Sequence, residues 1–285
     1  MKRRRRKTAL PVVPIASFMG FALLRAAMLL FSPGPGVRLA VEWAGTLLFA
    51  LLPALFGLFY LDGDHSGLLP PGAPEAEHIR ADTLTGVLFA FPFLLLSTLL
   101  RRLVPGETEV SLPLFLPALL LSALLIPASR ALLERGLLAG ERTGWPRRLV
   151  PSLFFAATGG AANEAVGRLI FALILQEISD RQDSLIASIL THAAFGAAIT
   201  LLSLSGLTHV LSSGEMVTTA LLLLLSLACW RALLAALALP PCGRVVEPTP
   251  EKPLRRREAV LFLSAPVFLL AATVFSLWML SGGEI

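Results

Sequence analysis

Apolar runs of about 20 residues, the length that carries one helix across a bilayer, recur from end to end of this chain and constrain its fold more than any other feature. They lie near residues 8–31, 37–61, 84–100, 110–139, 148–161, 166–178, 184–205, 216–238 and 258–281. In hydrocarbon the backbone must satisfy its own hydrogen bonds, and runs this long do so as α-helices. Only 15% of residues are charged and 55% are hydrophobic, whereas a soluble domain carries about a quarter charged. A bilayer therefore has to supply much of the burial. At 285 residues there is no room for a separate soluble domain, so residues 1–285 are expected to form one integral-membrane, all-α domain of eight to nine helices.

The count turns on residues 149–176, which read either as one long tilted helix or as two segments each too short for an ordinary crossing. The positive-inside rule discriminates between them. With nine elements and an inner N-terminus, the inner connections hold 16 Lys and Arg while the outer ones hold only Arg101 and Arg102. With eight, the split becomes 10 to 8 and Arg255, Arg256 and Arg257 face outward. The nine-element reading is preferred, with one or both short segments re-entrant or packed inside the bundle. Trp43, Trp145 and Trp278 fall near predicted ends, as interfacial aromatics do. The Pro/Gly-rich acidic stretch from Asp62 to Asp82 reads as an irregular solvated connection.

A net charge of +5 would suggest nucleic acid in a soluble protein, but six of the 24 basic residues sit in Lys2 to Lys7. That basic N-terminus, residues 1–7, reads as a topology signal. Together with 255–257 it suits anionic lipid headgroups rather than nucleic acid. The run from Thr8 to Phe31 is longer than a signal-peptide core and lacks a small-x-small cleavage site, so it reads as the first span. Cys229 and Cys242 give neither a disulfide framework nor a metal pair, and no cofactor or metal is expected.

An ionisable group at mid-depth costs about 3 kcal/mol on the insertion scale, so each needs a partner or a purpose. The candidates are Arg25, Arg130, Glu134, Arg135, Glu164, Arg168, His192 and Arg231, with Asn163 as a neutral companion. Arg130 and Glu134 are four apart, as are Glu164 and Arg168, so each pair can neutralise itself on one helix face. Arg231 lies within snorkelling reach of the end of its span. His192 has no ionisable neighbour of opposite charge on its own helix. It sits beside Ala193, Ala194 and Gly196 to Ala198, small residues that admit a second helix. Counted at 1.5 Å per residue from the inner ends, Arg130, Gly159 and His192 all fall about 12 to 15 Å into the membrane.

The segments IPASRALLERGLL (126–138), PSLFFAATGG (151–160) and FALILQEISDRQDSLIASILTHAAFG (171–196) resemble, in order and spacing, three motifs of the CAAX-protease and bacteriocin-processing (CPBP, or Abi) intramembrane proteases. The resemblance covers about 110–205, a third of the chain. It implies a pocket where a glutamate activates water with help from histidines while an amide stabilises the oxyanion. Aligned on Arg135-Gly136, the family's paired glutamates fall on Arg130 and Ala131. Its second-motif histidine falls on Gly159, or on Thr158 if Phe154 is the anchor. The third motif keeps His192 but has Gly196 where the amide belongs.

The resemblance thus implies a degenerate member in which the general base has become a cation. Three functions stay open. The first is a catalytically inactive protein of the bacterial cytoplasmic membrane that binds a membrane-anchored protein or peptide, or an active protease partner. The second is a working intramembrane endopeptidase with Glu164 or Glu134 as the displaced carboxylate and His192 assisting. The third is a small-solute transporter, against which stands the lack of an internal repeat. There is no phosphate loop, His-Glu-x-x-His or nucleophile elbow, and one histidine falls short of a catalytic zinc site.

Overall fold

A computed structural model describes residues 12–31, 34–57, 75–101, 112–138, 145–158, 164–182, 184–205, 207, 210 and 216–240. The expected span at 258–281, the basic clusters at 1–7 and 255–257, Trp278, Cys242, Gly159 and Asn163 lie outside them, as do the side chains of Arg25, Arg135 and Trp145. The regular structure of the described residues is all helical, with no strand. The helices are α1 (Val12–Phe31), α2 (Pro35–Phe56), α3 (Ala76–Arg101), α4 (112–138), α5 (Trp145–Thr158), α6 (Ala165–Gln182), α7 (Leu185–Leu204) and α8 (Met216–Ala238). Five stretches, Pro35–Phe56, Ala76–Thr98, Leu112–Glu134, Leu185–Leu204 and Val217–Ala238, are long and apolar enough to cross a membrane.

The local sequence explains the irregularities. In α2 the backbone widens into a π-helical turn at Leu47–Leu51, and in α4 at Leu121–Leu125, just before Pro53 and Pro127. A proline offers no N–H and its ring presses on the carbonyl four residues back, so the preceding turn opens. A second π-helical stretch, Ala131–Leu138, follows Arg130 directly. Between α6 and α7 the polar turn at Asp180 to Ser184 ends one helix and starts the next, with the Ser184 hydroxyl accepting from the Ala187 N–H at 3.3 Å.

Residues 149–176 form two helices, and the chain reverses between them. Arg148 at the start of α5 pairs with Glu177 (2.7 Å) and Asp180 (3.2 Å) near the end of α6, and Arg181 pairs with Glu177. The single tilted helix is thereby excluded. At 14 residues α5 is about 21 Å long, short of the roughly 30 Å hydrocarbon core.

The expected loop from Asp62 to Asp82 is corrected at its far end. Helix α3 begins at Ala76, eight residues before the apolar run, because His78, Asp82 and Thr85 recur at helical spacing and face inward. Helix α3 packs along α7 and α8. The approach to α7 is close: a Cβ on Gly86 would meet the Thr191 carbonyl oxygen and the Ala194 Cβ. The centre of the bundle is a phenylalanine cluster of Phe89 and Phe93 from α3, Phe155 from α5, Phe171 from α6 and Phe195 from α7. Phe171 is its hub, with ring centroids 4.3 Å from Phe195 and 4.7 Å from Phe89.

Candidate functional site

Helices α4 and α5, which carry the first two motif segments, meet at Arg130, with α1 adding Phe21. Its guanidinium is buried and donates to Glu134 Oε1 at 3.2 Å, to the Thr158 hydroxyl, and to the Thr158 carbonyl at 3.3 Å. Three aromatic faces complete the enclosure: the guanidinium carbon lies 4.7 Å from the Phe21 ring centre, 5.6 Å from Phe155 and 5.8 Å from Phe154. The Thr158 hydroxyl itself donates to the Phe154 carbonyl at 2.7 Å. The expected Arg130–Glu134 pair is therefore present, and Thr158, anchored through Phe154, is the α5 residue it reaches.

His192 also packs against the Phe155 ring. Its centroid is 5.3 Å from Phe155 and 5.4 Å from Phe171, with both rings presented edge-on. Phe155 thus touches both the buried guanidinium and the buried imidazole. Ala131 is buried beside Arg130.

Gly196, expected to line the pocket, is corrected to a packing position. A Cβ there would strike the backbone carbonyl of Ser122 in α4. The contact is sealed by a 2.8 Å hydrogen bond between the Ser122 and Thr200 hydroxyls, with Thr200 also bonded to the Gly196 carbonyl at 2.9 Å. The glycine allows the close approach of α4 and α7.

The two alternative carboxylates are both engaged. Glu134 is held by Arg130, and Glu164 forms an ion pair with Arg168 one turn along. His192 rests on Phe171, seven residues from Glu164 and so about 10 Å along the helix. A general base needs a free lone pair aimed at water, and both carboxylates are engaged by arginine instead. Among the described residues no group of three or more His, Cys, Asp and Glu is placed to hold a metal. Arg231 is exposed on α8.

Four polar residues escape the sequence reading. Glu42, inside the run at 37–61, lies in electrostatic range of Arg168, Arg38 and Glu164. Its i, i+4 spacing from Arg38 is the signal that marks it. His78, Asp82 and Gln182 lie buried where α3, α6 and α8 end together. Comparison with known proteins returns no matching family model, no matching curated protein and no matching solved structure.

Proposed function

We propose that this chain is a catalytically inactive relative of the CPBP-type intramembrane proteases, seated in a bacterial cytoplasmic membrane with its N-terminus inside. On this reading it binds a membrane-embedded segment, from an anchored protein or peptide or from an active protease, without cutting it. One observation carries the reading: Arg130, at the position that the resemblance assigns to the base, is neutralised by Glu134, capped by Thr158 and packed over the Phe155 ring, which also touches His192. A cation fixed in that way cannot accept a proton from water. The alternative endopeptidase gains no support, because Glu134 and Glu164 are both paired with arginine.

The test is reconstitution in liposomes with a photoreactive residue at position 158. Crosslinking to a membrane segment that stays intact is the expected result. Cleavage of any polypeptide that is lost in His192→Ala overturns the proposal.

A further inference from the structure

A second buried polar cluster lies away from Arg130, where the ends of α3, α6 and α8 converge. His78 and Asp82 are one turn apart on α3, and Gln182 is the last residue of α6. All three are essentially inaccessible, at 2%, 1% and 0% exposure. The Gln182 amide nitrogen donates both of its hydrogens, one to Asp82 Oδ1 at 2.9 Å and one to the Ala236 carbonyl of α8 at 3.1 Å. Both partners are acceptors, so the amide orientation is fixed and Oε1 is left without a donor. His78 Nε2 meets the Pro240 carbonyl at 2.7 Å, which makes Nε2 the donor and leaves Nδ1 as a buried acceptor, also without a partner.

The hydrogen-bonding ledger is one-sided. Two helices, α3 and α6, deliver an imidazole nitrogen, a carboxylate and an amide oxygen, and the hydrogens on His78 Nε2 and on the Gln182 amide nitrogen are already used. Among the described residues no Lys or Arg lies within ion-pair distance of Asp82, and the ionisable group that acts on it is the His78 imidazole one turn away. A buried carboxylate beside two orphaned acceptors is costly unless positive charge joins it. Water alone relieves the orphaned lone pairs but leaves the charge.

We propose that His78, Asp82 and Gln182 form a binding site for a divalent transition-metal ion of the Zn²⁺ class, ligated by Nδ1, the carboxylate and Oε1, with water completing the shell. The imidazole nitrogen argues against Na⁺, Mg²⁺ and Ca²⁺, which prefer oxygen alone. The ion would tie the start of α3 to the end of α6, on the side where α6 turns into α7. The inference is independent of the function proposed for the Arg130 region.

Tag-free protein carrying Cys242→Ser, which removes a competing thiolate, is stripped with chelator and titrated with Zn²⁺ and with Co²⁺. The expected result is one saturable Co²⁺ per chain with visible absorption of nitrogen–oxygen coordination. Zn²⁺ at a hundredfold excess over its Kd should raise Tm by about 5 °C. His78→Gln, which keeps the donor to Pro240, and Asp82→Asn, which keeps the partner of Gln182, should each weaken binding at least tenfold. Absence of saturable binding and of any Zn²⁺-dependent rise in Tm overturns the proposal without recourse to a variant. An Asp82→Asn protein that binds Co²⁺ as the parent does overturns it equally. If Asp82 is neutralised by a proton instead, Zn²⁺ leaves Tm unmoved and Asp82→Asn is silent.

Discussion

Replacing Arg130 by methionine keeps the apolar stem of the side chain but removes the guanidinium that Glu134 faces at 3.2 Å. The structure sets the size of the effect. Arg130 and Glu134 are both buried, so the substitution breaks a buried ion pair by removing one partner, a change that costs about 3–5 kcal/mol. Loss of the three aromatic contacts adds about 1 kcal/mol for the closest, that of Phe21. The companion change Glu134→Leu removes the stranded charge. Since a buried ion pair replaced by apolar groups of similar volume is often nearly neutral, the double variant Arg130→Met/Glu134→Leu should recover most of the deficit. Thermal unfolding of detergent-purified protein, read by intrinsic fluorescence, gives the four corners of the cycle. A single variant within about 0.5 kcal/mol of the parent, or a double variant as unstable as the single one, refutes the claim that the pair is a coupled buried unit.

Other substitutions probe neighbouring statements. Gly196→Val drives a branched side chain into the Ser122 backbone and should cost about 3 kcal/mol or more, whereas the same change at exposed Gly36 should be near neutral; equal losses in unfolding experiments would remove the close α4–α7 approach from consideration. His192→Ala should reduce crosslinking of a membrane segment at position 158 more than it lowers Tm, and identical crosslink yields from both proteins would count against a binding role. Arg148→Ala breaks pairs that are partly open to solvent and should cost about 1 kcal/mol or less, a difference that salt should shrink further; a larger, salt-insensitive loss would contradict a water-screened base to the α5–α6 hairpin.

Much of the architecture is legible in the sequence because hydrocarbon imposes a single rule on every span. The positions of α1, α2, α4 and α8 follow from the length of their apolar runs, and two ion pairs follow from i, i+4 spacing. The break between α5 and α6 follows from charge parity. The start of α3 does not, because its first two turns are polar and the polar face is turned inward against α6 and α8, which a hydropathy profile registers as solvent. For the same reason Asp82 and Gln182, one hundred residues apart, carry no local mark of their contact. Around Arg130, spacing yields Glu134 but not the aromatic enclosure, since Phe21 approaches from α1 across more than a hundred residues. The role of Gly196 is equally hidden: a missing side chain reads the same whether it opens a cavity or admits a backbone.

The α5–α6 hairpin bears on how the chain enters a membrane. Arg148 at one foot, and Glu177, Asp180 and Arg181 at the other, share a single salt-bridged base. A hairpin whose feet stay together can slide into the bilayer as one paired unit. None of those four charges then has to be dragged through the lipid, and neither short leg has to be stable there by itself.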